Sequence, residues 1–126
     1  MVKVLFVDND ATLRIIAKTS IEREWDGCKV FLAINGAEGL KIASKEQPNL
    51  IILDVIMPGL DGPQTLKKLR EQGIDTPVIF ITAKEGAELE ELNQYKDLNV
   101  TGILKKPFVP RQLLEECHKV LGGMVS

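Results

Sequence analysis

The sequence is poor in cysteine and histidine, carries no excess of charge of either sign, and has no long apolar run. Its 126 residues include two cysteines and one histidine. Cys28 and Cys117 form no short metal-type pair and are expected to be two buried thiols. His118 falls late in the last helical pattern and reads as non-catalytic. The longest apolar stretches are strand-sized, far below the ~20 residues of a membrane span. The first of them, Val2–Val7, is too short and too β-branched for a signal peptide, so a cytoplasmic protein is expected. The net charge is -2, and no global field draws the chain to nucleic acid or anionic lipid. Neither direct nucleic-acid binding nor membrane insertion is expected.

What is present is an ordinary globular composition, 44% hydrophobic and 27% charged, which fits one compact domain. Five apolar runs recur at regular intervals: Val2–Val7, Lys29–Ile34, Leu50–Asp54, Val78–Thr82 and Gly102–Leu104. Helical patterns separate them and a fifth closes the chain. The first carries Leu13, Ile16, Ala17 and Ile21, and the second Ala37, Leu40 and Ala43. Leu66 and Leu69 follow Pro63, which suits a first helical turn. Leu89 and Leu92 lie in an acidic stretch, and Leu113, Cys117, Val120 and Leu121 share a face of the last helix. The strands are nearly continuous apolar runs, as a parallel sheet covered on both faces requires. Strict alternation predicts an α/β domain with right-handed crossovers. A single domain over residues 1–126 is expected, with no linker, repeat or output domain.

In such a sheet the site lies beyond the carboxyl ends of the strands. Those ends carry Asp8-Asn9-Asp10, Asp54, Thr82-Ala83 and Lys105-Lys106-Pro107. Clustered carboxylates repel one another and raise one another's pKa. A divalent cation relieves this, and oxygen-only ligands favour Mg²⁺. A metal-bound carboxylate beside a lysine and a hydroxyl is a place to receive a phosphoryl group, since Mg²⁺ and lysine offset charge on its oxygens. Each residue also has a plain reading. Asn9 or Asp10 could cap the first helix, Asp54 could be a turn residue, Thr82 is ordinary at a strand end, and Lys106 could be a solvated lysine. Their common place at the ends of four different strands favours the functional reading. Lys67-Lys68 and Glu88, Glu90 and Glu91 read as solvated helix faces.

Asp8-Asn9-Asp10, Leu53-Asp54-Val55-Ile56-Met57-Pro58-Gly59-Leu60-Asp61-Gly62, Ile81-Thr82-Ala83 and Lys106-Pro107-Phe108 together resemble the receiver domain of bacterial response regulators, in order and spacing over the whole chain. The resemblance implies a (βα)5 flavodoxin-like sheet in the order 2-1-3-4-5. It implies a two-component switch, not a turnover enzyme, in which Asp54 attacks a phosphohistidine on a histidine kinase or histidine phosphotransfer protein. Asp8, Asn9, Asp54 and the backbone carbonyl of Ile56 would surround Mg²⁺. Lys106 would bind the phosphoryl group, and its bond to Pro107 would be cis. Thr82 would move toward the phosphate and change the surface of the fourth helix, fifth strand and fifth helix, which acts on a downstream protein. Ile56 and Lys84 would flank the path of the hydrolytic water. Two positions depart from the family pattern. Asn9 replaces an acidic residue, so weaker Mg²⁺ binding is expected unless Asp10 supplies the charge. Ile103 replaces the switch aromatic, so coupling by a rotating ring cannot operate.

Two alternatives compete. Asp8-Asn9-Asp10-Ala11-Thr12 resembles the first motif of haloacid-dehalogenase-type phosphatases, with Asp8 as nucleophile and Asp10 as acid/base. No late acidic metal-binding pair follows Lys106, because Glu115-Glu116 fall inside a helix, and Asp54 would be left without a role. A receiver-like interaction module that has lost phosphorylation is the other alternative, suggested by Asn9 and Ile103 and opposed by Asp54, Thr82 and Lys106. No Ser/Thr/Gly-rich loop follows the first strand, which argues against a flavin binder.

Overall fold

In the computed structural model, which describes residues 1–125, strands and helices alternate along the chain. The strands are β1 (Val2–Val7), β2 (Cys28–Ala33), β3 (Leu50–Asp54), β4 (Val78–Thr82) and β5 (Val100–Lys105). The helices are α1 (Ala11–Glu24), α2 (Gly36–Glu46), α3 (Gly62–Glu71), α4 (Gly86–Glu90) and α5 (Pro110–Leu121), and a 3₁₀ segment, Glu91–Leu98, continues α4. All strand pairs are parallel and the order is β2-β1-β3-β4-β5. The α/β class and the flavodoxin-like order are those expected.

Successive strand residues point to opposite faces, and the two cores follow that parity. Val4, Phe6, Leu50, Ile52, Ile79, Ile81 and Leu104 pack with Ala17 and Ile21 of α1 and Leu113, Cys117 and Leu121 of α5. Leu5, Val7, Ile51, Leu53, Val78 and Phe80 pack on the other side with Ala43 of α2, Leu66 and Leu69 of α3, and Leu92. Both faces are covered, which explains the unbroken apolar runs. Cys28 and Cys117 are free, buried thiols.

Several local expectations need correction. β2 starts one residue earlier than the apolar run, at Cys28. β5 starts two residues earlier, at Val100, and its register against β4 jumps from Val78↔Val100 to Ile79↔Gly102. The extra residue, Thr101, is a bulge that a plain alternation reading misses. Ile16 and Ala37 are exposed, and α2 turns Gly36 and Gly39 inward instead. A Cβ on Gly39 would stand 3.0 Å from a Val7 methyl, so the small residue sets how closely α2 approaches β1. The fourth helical pattern forms a single α turn before becoming 3₁₀. Only Leu92 is buried across both pieces, and with so little packing a regular α-helix is not enforced. Among the described residues no helix is long and apolar enough to cross a membrane.

Candidate functional site

β1, β3, β4 and β5 end at the same edge of the sheet, and side-chain parity sorts what they carry there. Asp54 follows Ile52 by two residues and lies on the α1–α5 side. Asp8 and Lys106 lie one residue past their strands, two after Phe6 and Leu104, with the same parity. Lys106 Nζ accordingly reaches both carboxylates, Asp8 Oδ2 at 2.8 Å and Asp54 Oδ2 at 3.2 Å. Thr82, two after Phe80, has the opposite parity. Its hydroxyl oxygen accepts the Lys84 N–H at 3.0 Å. The structure therefore brings Asp8, Asp54 and Lys106 into direct contact and sets Thr82 beside them on the neighbouring strand. The Lys106–Pro107 bond is cis.

Burial gives this cluster its electrostatics. Asp8, Asp54 and Thr82 are all buried. Burial, reinforced by repulsion from Asp8, pushes the Asp54 carboxyl up to about 6, although Lys106 and the Ile56 N–H oppose the shift. For Lys106, burial works against the ammonium, but the bonds and charges of Asp8 and Asp54 outweigh it and raise its pKa. One ammonium thus faces two buried carboxylates, and negative charge is in excess.

The turn after β1 is closely organised. Asp8 N–H donates to Ala33 O at 3.1 Å, and Asp8 Oδ1 accepts the Asp10 N–H at 2.9 Å. Asp10 Oδ1 accepts the N–H groups of Thr12 and Leu13 at 2.9 and 3.2 Å and is the N-cap of α1. Of the two roles open to Asp10, the structure gives it the cap. Asp8 is buried, with Oδ1 accepting from the Asp10 N–H and Oδ2 from Lys106. Asn9 and Ile56 are exposed on the rim. All four expected cation ligands offer oxygen, and two of them are anionic. A hard divalent cation of the Mg²⁺ kind fits that donor set, because it supplies the positive charge that Lys106 alone does not.

Sequence reasoning passed over two residues of this site. The motif alone gives no reason for Gly62, yet a Cβ there would fall 2.6 Å from Asp54 O and 2.7 Å from Val55 Cα. Its N–H donates to Val55 O at 2.9 Å, which folds the loop after β3 tightly back on that strand. Arg14, one turn into α1, donates from Nη1 to Asp8 O at 2.8 Å. An arginine on a helix gives no sequence signal for such a bond. His118 lies away from the cluster and stacks on Trp25, with ring centroids 6.3 Å apart.

Comparison with known proteins identifies the family and the fold. The model of the response regulator receiver domain matches residues 4–118. The chain belongs to that family. As a receiver domain of two-component signalling it is a member of a family of switches, not of turnover enzymes. It is 36% identical over 121 residues to the alkaline phosphatase synthesis transcriptional regulatory protein PhoP of Bacillus subtilis, covering 94% of this chain and 48% of that protein. It is 32% identical to the response regulator MprA of Mycobacterium leprae, covering 94% and 50%. The receiver chain spans about half the length of these curated relatives. Among solved structures, the chemotaxis protein CheY4 of Vibrio cholerae superposes with a TM-score of 0.85 at 33% identity, over 96% of this chain and 99% of that one. The receiver domain of the Francisella response regulator 1452 gives 0.84 at 30% identity, over 98% of each.

Proposed function

We propose that this receiver domain is a phospho-acceptor switch in which Asp54 takes a phosphoryl group from a phosphohistidine of a histidine kinase or histidine phosphotransfer protein. The observation that carries the reading is the ammonium of Lys106 held between the buried carboxylates of Asp8 and Asp54. An Asp54 carboxylate oxygen attacks phosphorus, the P–N bond to the donor imidazole breaks, and an aspartyl phosphate forms. The imidazole leaves with the bonding pair and takes up a proton. Asp8, Asn9, Asp54 and the Ile56 carbonyl would hold Mg²⁺, which when bound offsets charge on the carboxylates and on the phosphoryl oxygens. Lys106 has a donor ready for one of those oxygens. Thr82, buried at the end of β4, supplies a hydroxyl that can turn from the Lys84 N–H toward another.

The consequence of phosphorylation is a changed surface that acts on a partner protein. The match to the receiver portion of longer regulators supports a partner or an attached domain as the point of action.

Incubation with acetyl phosphate and Mg²⁺, read by intact mass, tests the reading. A gain of one phosphoryl group that disappears in Asp54→Asn is expected. No gain, or a gain that persists in that variant, would overturn it.

A further inference from the structure

Asp8 is the most heavily bonded residue of the site, and one of its bonds comes from a side chain that the phosphoryl-transfer reading leaves unused. Its N–H is held by Ala33 O, its Oδ1 by the Asp10 N–H, and its Oδ2 by Lys106. The remaining acceptor, its main-chain carbonyl, is held by the Arg14 guanidinium at 2.8 Å. The Asp8–Asn9 peptide is planar, so a fixed carbonyl fixes the whole unit and the direction in which the chain delivers Asn9. Asp10 is locked on the far side by capping α1 and by the Arg14 N–H, which donates to Asp10 O at 3.1 Å. Arg14 therefore grips the turn twice, from its backbone and from its side chain. None of these bonds uses the Asn9 side chain, which stays exposed.

We infer that Arg14 is a positioning residue for cation binding: it orients the Asp8–Asn9 peptide so that the Asp8 carboxylate and the Asn9 amide are presented together. The inference rests on the phospho-acceptor reading above. It matters more here than in a site with another acidic group at position 9. An amide contributes no net charge, so its value as a ligand depends on orientation.

Two physical effects of Arg14 have opposite signs, which makes the inference testable. As a positive charge near the site, Arg14 repels a cation, so its removal should tighten binding. As an orienting group it favours binding, so its removal should weaken it. The experiment is calorimetric titration of Mg²⁺ into wild type, Arg14→Ala and Arg14→Lys, with folding checked by circular dichroism. Arg14→Ala is expected to bind about tenfold more weakly, the lower end for loss of an outer-shell partner. Arg14→Lys, which keeps a donor and the charge without the planar fork, is expected to fall between. If Arg14→Ala does not fold, Arg14→Gln takes its place with the same expectation. Mg²⁺ affinity unchanged within twofold in the neutral variant, or tighter, overturns the inference and leaves the phospho-acceptor reading standing. A wild type that binds no Mg²⁺ overturns both.

Discussion

At the scale of single residues, Asp54 combines two properties that normally exclude each other: it is buried, and the proposed reaction needs it charged. Its folded-state pKa of about 6 lies above the ordinary 3.8. The unfolded chain therefore releases this proton at lower pH than the folded one. The stabilising effect of the raised pKa is complete below about 4 and is lost as the pH rises through about 6. Without metal, the ionised Asp54 costs stability at neutral pH. Asp54→Asn should accordingly be more stable than wild type at pH 7.5, by about 1–3 kcal/mol in urea unfolding. The gap should close as the pH falls from 6 to 4. Equal stability at pH 7.5 would show that Lys106 already compensates both carboxylates. Asn9 sets the complementary expectation. Asp10 Oδ1 caps α1, which turns that carboxylate toward the helix rather than into the place of the group missing at position 9. Asn9→Asp should bind Mg²⁺ about tenfold to a hundredfold more tightly by calorimetry and be less stable without metal. Equal affinities in the two proteins would count against this account.

At the scale of elements, the junction of β4 and α4 is where a change at Asp54 can be relayed. Thr82 is bonded to Lys84 N–H, and Lys105 at the end of β5 holds Glu85 at 2.5 Å. Gly86 has φ of +57°, a backbone conformation that other residues adopt only with strain. Beyond it lie one α turn and a 3₁₀ stretch. The far end is tied down, because Arg70 donates to the carbonyls of Leu98, Ile74 and Thr76 at 2.9, 2.7 and 2.8 Å. The Leu98 end is thus anchored by Arg70, while the exposed Lys105–Glu85 pair holds the Gly86 end only weakly. Ile103, paired with Phe80 across the sheet, is branched and cannot swing as a ring does. Binding of beryllofluoride should therefore change amide exchange most strongly at residues 83–90. Changes confined to β5, with none at 83–90, would contradict this route.

At the scale of the whole molecule, the two thiols report on the integrity of the α1–α5 core. Cys28 and Cys117 both belong to it. Burial pushes the Cys117 thiol up to about 12 and also raises that of Cys28. The thiolate is the reactive form, so neither should react with an aromatic disulfide reagent in the folded protein. Both should react once urea unfolds the chain, with labelling that tracks global unfolding as read by circular dichroism. Rapid labelling of Cys117 without denaturant would mean that this core opens locally.

Strand type and the acidic, hydroxyl and lysine positions at one edge were legible from the residues, because parallel strands covered on both faces and polar strand ends leave local marks; the sheet order followed only from the resemblance to receiver domains. Asp8, Asp54, Thr82 and Lys106 could be located from their place after apolar runs. Their contacts could not. Asp54, Thr82 and Lys106 are compatible with a turn, a strand end and a solvated lysine, and Asn9 or Asp10 with a helix cap, until parity and register bring Lys106 within reach of both carboxylates. The bulge at Thr101, the 3₁₀ continuation of α4, the close approach at Gly62 and the bond from Arg14 to Asp8 O lie further beyond sequence reading. Each depends on what a neighbouring element permits: a partner strand's register, the little apolar surface available to bury, the room left for one Cβ, and the distance from a helix to a turn. Composition and periodicity specify which elements form, because those preferences are local. Only packing decides which polar atoms meet, because hydrogen bonds and charge pairs act over a few ångströms between residues far apart in the chain.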